Sequence, residues 1–157
     1  MKLYLLRHAD TEDFATSGRD FDRNLLPSGR ERAEKMGVYL NEKLSRKIAV
    51  YCSASNRTRE TAAIVQSKFE YRNIQMKDEL YHANQSQLLA FINQLEDHGP
   101  VLIIGHNEGI TDLANYLTGE NLYMNTCNFV CIDLNATNWQ EVSRDSGQLV
   151  DNFRPEL

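Results

Sequence analysis

Residues 3–12 of the chain read Leu3-Tyr4-Leu5-Leu6-Arg7-His8-Ala9-Asp10-Thr11-Glu12, an apolar run that ends in an arginine–histidine pair and then turns polar. An unbroken apolar run bounded by polar residues predicts a strand buried on both faces, as in a parallel sheet. Arg7 and His8 would then stand at the carboxyl end of the strand, where open α/β sheets place their ligand crevice. The alternative is a strand that runs out into solvent with a charged pair as its exit.

The composition is that of an ordinary globular protein with an acidic balance. The chain has 157 residues, of which 41% are hydrophobic and 25% charged. This length predicts a single domain over residues 1–157 with a substantial core. The net charge of −5 and the pI of about 5.4 disfavour nucleic acid or an anionic membrane as a partner. A bound anion must therefore be held by a local cluster of positive groups.

The cysteines and the apolar segments indicate the cellular compartment of the protein. Cys52, Cys127 and Cys131 are odd in number and lack Cys-x-x-Cys spacing, which is typical of small buried hydrophobes in a reduced compartment. Arg7 and His8 interrupt the first apolar run well short of a secretory signal, and no stretch approaches transmembrane length. We expect a cytoplasmic protein that is a monomer or a weak homodimer.

Predicted strands alternate with predicted helices over most of the chain. Apolar runs predict further strands at residues 47–52, 73–76 and 101–104, and the polar stretch 10–26 is long enough to shape a binding mouth. Ser28-Gly29-Arg30-Glu31 has the capping-box form and predicts the start of the first helix. Residues 129–134 and 138–142 look like an antiparallel strand pair. The pattern predicts a three-layer α/β/α sandwich with a mostly parallel central sheet.

Three predicted strands end in residues suited to chemistry on an anion. The first ends in Arg7 and His8, the second in the turn before Arg57, and the fourth in His106. The carboxyl ends of parallel strands share one sheet edge, so these side chains should converge there. Arginine forks match phosphoryl oxygens, and a neutral imidazole can attack phosphorus in line. Nearby positive charge would keep that imidazole unprotonated.

Four segments between residue 3 and about residue 119 carry a resemblance to a known family. The first two segments are Arg7-His8-Ala9-Asp10-Thr11 and Asn24-Leu25-Leu26-Pro27-Ser28-Gly29 with Ala33. The last two are Ser53-Ala54-Ser55-Asn56-Arg57-Thr58-Arg59-Glu60-Thr61-Ala62 and Gly105-His106-Asn107-Glu108-Gly109. They resemble, in order, the R-H-(G/A)-x-(T/S), L-(T/S)-x-x-G-x-x-x-A, S-P-x-x-R-(T/A)-x-x-T-A and G-H-N-P-G patterns of the phosphoglycerate mutase-like histidine phosphatase superfamily. Ala54 and Glu108 stand where proline is usual. The short chain is similar to the SixA-type phosphohistidine phosphatases.

The resemblance implies that His8 is the nucleophile and is transiently phosphorylated. It implies a phosphate pocket formed by three further side chains, Arg7, Arg57 and His106. Thr11 and Asn107 are candidate substrate contacts. Neither a cofactor nor a metal is implied.

Arg59 is the alternative to Arg57 as the second pocket arginine. It lies two residues further on, roughly 200° around a helix, so both side chains cannot face the pocket. The family register favours Arg57 and leaves Arg59 as solvated charge.

The general acid has more than one candidate in the sequence. The mutase-like branch carries a glutamate in an L-x-E segment, which is Leu80-Tyr81-His82 in this chain. A histidine can protonate a leaving group, so His82 is the candidate, unless it is only an exposed loop residue. The alternatives are Glu79, Asp10 and Glu108. The His-Asp pair of phytase-like enzymes is absent, because Asn107 follows His106.

The leading hypothesis is a metal-independent phosphatase that acts through a phosphohistidine intermediate on His8, with protein phosphohistidine as a fitting substrate. The substrate could instead be a phosphorylated small molecule, hydrolysed by a phosphomonoesterase of the same superfamily. A non-catalytic phosphate- or phosphoprotein-binding module is a further alternative. A divalent-metal hydrolase fits less well, because the two pocket histidines lack a carboxylate cluster at ligand spacing.

Overall fold

The structure is a computed structural model that describes residues 1–69, 71, 73–96 and 98–157. Six strands form one sheet, and they are β1 (Lys2–Arg7), β2 (Ala49–Ser53), β3 (Ile74–Lys77), β4 (Val101–Gly105), β5 (Phe129–Leu134) and β6 (Gly147–Phe153). Four α-helices connect or flank them, and these are α1 (Pro27–Lys43), α2 (Asn56–Lys68), α3 (Gln85–Asn93) and α4 (Gly109–Thr118). Three short 3-10 turns lie at Asp20–Asp22, Asp78–Leu80 and Trp139–Glu141.

The sheet is mixed, with strand order β3-β2-β4-β1-β5-β6. Strands β1 to β4 run parallel to one another, whereas β5 runs antiparallel to β1 and β6 antiparallel to β5. This confirms the predicted mostly parallel sheet with an antiparallel pair at its carboxyl-terminal end.

Helices cover both faces of the central strands. Leu6 and Ile104 point into a core completed by α1 and α2, whereas Leu5 and Ile103 point into the core on the side of α3 and α4. Successive residues of a strand face opposite sides, so a strand covered on both sides is apolar at every position. The uninterrupted apolar runs in β1 and β4 therefore reflect the three-layer α/β/α arrangement.

Helix α1 does not begin with the predicted capping box, and that prediction was wrong. Leu26 is the N-cap and Pro27 the first helical residue. Proline has no N–H to lose and a backbone φ preset for a helix, so the helix starts two residues earlier than a Ser28 N-cap would give. The Ser28 side chain instead helps to lower the pKa of the Asp10 carboxyl.

The second antiparallel strand was predicted at residues 138–142, which is also wrong. That segment is a 3-10 turn in which the Asn138 side chain accepts a hydrogen bond from the backbone N–H of Glu141, while Trp139 is buried in the core. The strand that pairs with β5 is β6, whose residues are half-buried or exposed in alternation. An edge strand with so few buried positions carries no apolar run. The sequence of residues 138–142 therefore looked more like a strand than that of β6 did.

Among the described residues, no helix combines the length and apolar character needed to cross a membrane.

Gly29, in the first turn of α1, packs directly on the backbone that follows β1. A Cβ at this position would lie 2.2 Å from the backbone oxygen and 2.9 Å from the backbone nitrogen of Asp10. Because the obstacle is main chain, it cannot rotate away. The absence of a side chain at Gly29 therefore sets how closely α1 approaches residues 8–11.

We predict that Gly29→Ala lowers the free energy of unfolding by about 1–3 kcal/mol, because forced overpacking outweighs the better helix propensity of alanine. Gly99→Ala is the control, since its Cβ would meet only a backbone oxygen of Lys47 at 3.7 Å. Urea unfolding of both variants measures the difference. Equal free energies of unfolding for the two variants would show that the Asp10 backbone moves to make room for the added Cβ.

Candidate active site

The site lies at the sheet edge where β1, β2 and β4 end. Arg7 pairs in register with Gly105, so His8 and His106 follow at the same level. The backbone N–H of His8 donates to the Gly105 oxygen at 3.1 Å, and the two imidazole centroids are 5.4 Å apart. Two of the three strand ends that were predicted to converge, those of β1 and β4, therefore lie side by side.

A cavity of about 330 Å³ opens at this edge. Its lining includes every residue that the sequence singled out for the pocket, and these are Arg7, His8, Thr11, Arg57, His82, His106 and Asn107. Asp10, Asp13, Asp20, Arg23 and Thr126 complete the lining. A larger groove of about 450 Å³ lies elsewhere, between the β3 edge and α3, and its described lining contains no arginine or histidine.

His8 has its tautomer set by a backbone carbonyl. Its Nδ1 lies 2.8 Å from the oxygen of Ala9. A carbonyl only accepts, so Nδ1 carries the proton and donates it, which leaves the lone pair of a neutral imidazole on Nε2. Burial, reinforced by the positive charges of Arg57 and Arg7, lowers the pKa of His8 to about 3. His8 is therefore neutral near pH 7, and burial contributes more to this than the neighbouring charge that the sequence suggested.

His106 is buried beside His8. Its Nε2 lies 2.7 Å from the hydroxyl oxygen of Ser53, the last residue of β2, and its Nδ1 has no hydrogen-bond partner among the described residues. Burial and the nearby His8 and Arg57 lower the pKa of His106 to about 2. This imidazole is also neutral near pH 7.

The two pocket arginines are held by backbone oxygens, and each has a buried Nε–H without a partner among the described residues. Arg7 donates from Nη1 to the oxygen of Met124 at 3.0 Å, and Arg57 donates from Nη1 to the oxygen of Asp20 at 2.8 Å. The Nε of each is buried without a partner in the described part of the chain. Since buried donors are normally paired, two unpaired N–H groups on arginines that line one cavity are suited to bind an anion.

Asp20 is a member of the site that sequence reasoning missed. Its Oδ2 accepts hydrogen bonds from Arg57 at 2.9 Å and from the Tyr81 hydroxyl at 2.5 Å, and its Oδ1 accepts from Arg23 at 2.8 Å. Burial alone would raise the pKa of this carboxyl, but the hydrogen bonds from Tyr81, Arg23 and Arg57 outweigh it and hold the pKa well below its usual range. Asp20 is therefore a carboxylate beside the pocket cations.

Part of this cluster had a signal in the sequence. The loop at residues 10–26 was recognised as a candidate binding mouth, and Asp20 and Arg23 stand in it at i, i+3 spacing. Tyr81 comes from a different loop, so nothing local to either segment shows that they meet.

Thr11 and Asn107 both line the cavity and both have protein partners. The Thr11 hydroxyl accepts a hydrogen bond from Arg23 at 2.6 Å. Asn107 donates to the Met124 oxygen at 2.9 Å and accepts from the Thr111 hydroxyl at 2.7 Å. Asn107 thus fixes the same backbone segment that holds Arg7.

His82 lies at the mouth of the cavity with its side chain about half exposed. Its Nε2 is 3.1 Å from both Arg57 and Asp20, and its ring stands perpendicular to that of His106 with centroids 5.5 Å apart. The loop that carries it is held close, because a Cβ at Gly109 would lie 1.9 Å from the oxygen of Ala83.

The other candidate acids lie in different surroundings. Glu79 lines the larger groove with Tyr51 and Phe91. Glu108 is exposed at the start of α4. Asp10 lines the cavity, but its carboxylate is engaged by Thr126 and by Arg32.

Arg59 is exposed and donates from Nε to the oxygen of Ala54 at 2.7 Å. It is not part of the cavity lining, whereas Arg57 is 3% exposed and lies within it. The structure thus separates the two arginines as the helical geometry requires.

Comparisons with known proteins agree with this geometry. A solved structure from Nakamurella multipartitia, provisionally described as phosphohistidine phosphatase SixA, is 26% identical and superposes with a TM-score of 0.85 over 98% of this chain and 95% of that one. A protein from Agrobacterium tumefaciens with the same provisional description is 25% identical, with a TM-score of 0.83 over 98% and 97% of the two chains. An uncharacterised chloroplastic protein of Arabidopsis thaliana is 27% identical over 93% of this chain and 72% of its own length.

The family model for branch 1 of the histidine phosphatase superfamily matches residues 3–84. This match covers more than half of the chain and includes Arg7, His8 and Arg57. The chain therefore belongs to branch 1 of the histidine phosphatase superfamily and is a phosphatase with a SixA-like structure.

Proposed function

We propose that this protein is a metal-independent phosphatase that works through a phosphohistidine intermediate on His8. The observation that carries the proposal is the Nδ1–H of His8 held by the Ala9 oxygen, which leaves the Nε2 lone pair for attack on phosphorus. The unpaired N–H groups of Arg7 and Arg57 supply donors for the phosphoryl oxygens in the same cavity.

The reaction has two steps. In the first, Nε2 of His8 forms a bond to phosphorus while the bond from phosphorus to the leaving nitrogen or oxygen breaks, and the leaving atom takes a proton. In the second, water attacks phosphorus and the bond to Nε2 breaks, which releases inorganic phosphate and restores neutral His8. The arginines stabilise charge on the equatorial oxygens in both steps.

His82 is our proposed proton donor to the leaving group. It lies at the cavity mouth, where a leaving group would point outward, and it contacts Arg57 and Asp20. Its half-exposed side chain can regain a proton from solvent between turnovers.

A phosphoramidate, including phosphohistidine on a protein, is our proposed substrate class. A protonatable nitrogen leaves readily, so this substrate requires little from a general acid, in keeping with a site that has histidine in place of the glutamate of the mutase-like branch. The solved structures described as SixA also support this class. Phosphorylated small molecules are the alternative substrates.

A binding module without turnover remains the second candidate, because the pocket would hold a phosphoryl group even without an acid. A metal-dependent hydrolase has less support, since the described residues contain no group of three or more His, Cys, Asp or Glu placed to hold a metal ion.

We predict that His8→Ala lowers kcat by several orders of magnitude and removes covalent labelling of the protein, because the attacking nitrogen is lost. Rapid quenching with a ³²P-labelled phosphoramidate in the presence of EDTA measures both. Circular dichroism serves as the folding control. A binding module would bind the substrate without labelling, and labelling that requires added metal would contradict the proposal.

Arg57→Ala should weaken vanadate binding by about 10- to 100-fold, the cost of charge-assisted hydrogen bonds to an anion. Arg59→Ala, which removes the same charge two residues away, should change the dissociation constant less than about twofold. Isothermal titration calorimetry at fixed ionic strength compares them. Equal losses would place Arg59 in the pocket or Arg57 outside it.

His82→Gln keeps a polar side chain beside Arg57 and Asp20 but cannot transfer a proton. We predict that it lowers kcat for phenyl phosphate by about 10²-fold, a typical contribution of general acid catalysis. Its kcat for a phosphoramidate should change little, which makes that substrate the internal control. Identical losses on the two substrates would exclude the acid role.

A further inference from the structure

We propose that Ser53 is a positioning residue that sets the tautomer of His106, so that the Nδ1–H of His106 is the third donor to the phosphoryl group. The inference rests on the proposed phosphate chemistry of the pocket. Ser53 is fully buried at the end of β2, and its hydroxyl oxygen lies 2.7 Å from Nε2 of His106.

The hydrogen-bonding capacity of the pair decides the direction of this bond. A neutral imidazole carries one proton, and a serine hydroxyl can either donate or accept. If Nε2–H donated to Ser53, the hydroxyl proton would be buried without an acceptor, because His106 is its one hydrogen-bond partner among the described residues. If the hydroxyl donates to Nε2, both groups are paired and the imidazole proton lies on Nδ1.

The surroundings hold Ser53 in place for this role. Its backbone oxygen accepts a hydrogen bond from the Thr58 hydroxyl at 2.7 Å, and the residue pairs in register with Lys77 of β3. The low pKa of His106 supports a neutral ring, which a tautomer assignment requires.

The consequence concerns the electrostatics of the cavity. Nδ1 of His106 and the Nε atoms of Arg7 and Arg57 are the three buried side-chain nitrogen or oxygen atoms without a partner in the described part of the chain. With the proton on Nδ1, all three are N–H donors to one anion. With the opposite tautomer, a lone pair on Nδ1 would repel the phosphoryl oxygens.

The test combines a direct measurement of the tautomer with a functional measurement. Long-range ¹H–¹⁵N correlation spectra of histidine-labelled, anion-free protein distinguish Nδ1–H from Nε2–H, and a His106→Asn variant assigns the signals. We expect Nδ1–H on His106 in the wild type. In Ser53→Ala we expect Nε2–H to become populated and the dissociation constant for vanadate to rise about tenfold.

Ser55→Ala is the matched control, because Ser55 is equally buried in the same turn but contacts the Thr58 hydroxyl rather than His106. It should change neither the tautomer nor the vanadate affinity. Nε2–H in the wild type would overturn the proposal, and so would a Ser53→Ala variant with unchanged tautomer and affinity. The wild-type spectrum decides the assignment even if Ser53→Ala does not fold.

Neither readout depends on turnover. Loss of the His8 nucleophile assignment would therefore leave the tautomer result standing, and a wrong tautomer would leave covalent labelling of His8 intact.

Discussion

The parallel pairing of β1 with β4 is the constraint on which the site depends. Arg7 opposite Gly105 places the residues that follow, His8 and His106, side by side at one sheet edge. A shift of one residue would turn the side chains of β1 to the opposite faces. Because both faces of β1 lie in apolar cores, the packing of Leu5 on one side and Leu6 on the other resists such a shift. The register that buries the core is thus the register that assembles the pocket.

Positive charge is concentrated at this cavity in a protein that is acidic overall. Arg57 is almost fully buried, and a buried guanidinium is costly unless it is paired. Asp20 supplies that pairing through its carboxylate and its backbone oxygen, both on the Nη side of Arg57, while Nε has no partner among the described residues. The carboxylate therefore stabilises the arginine and leaves its Nε–H for the phosphoryl group that we propose binds here.

Much of this could be read from the sequence because the informative features were local. The apolar runs of β1 and β4, followed directly by Arg7 and His106, showed both the buried strands and the residues at their ends. What could not be read depends on contacts between distant segments. Tyr81 meets Asp20 only because the two loops fold over one cavity, and β6 is a strand because β5 offers it an edge rather than because its own residues are apolar.

The pocket histidines illustrate how one environment can support two roles. Burial disfavours the charged form of both imidazoles, so each holds a single proton near pH 7. What distinguishes them is the buried partner. A carbonyl oxygen can only accept, so Ala9 draws the proton of His8 to Nδ1 and leaves the lone pair on Nε2, as the proposed nucleophile requires. The Ser53 hydroxyl has His106 as its one partner among the described residues, so in our proposal it donates to Nε2 and directs the proton of His106 to Nδ1. In the proposed mechanism the two neutral imidazoles thus have opposite functions, His8 as the electron-pair donor to phosphorus and His106 as a hydrogen-bond donor to the phosphoryl oxygens.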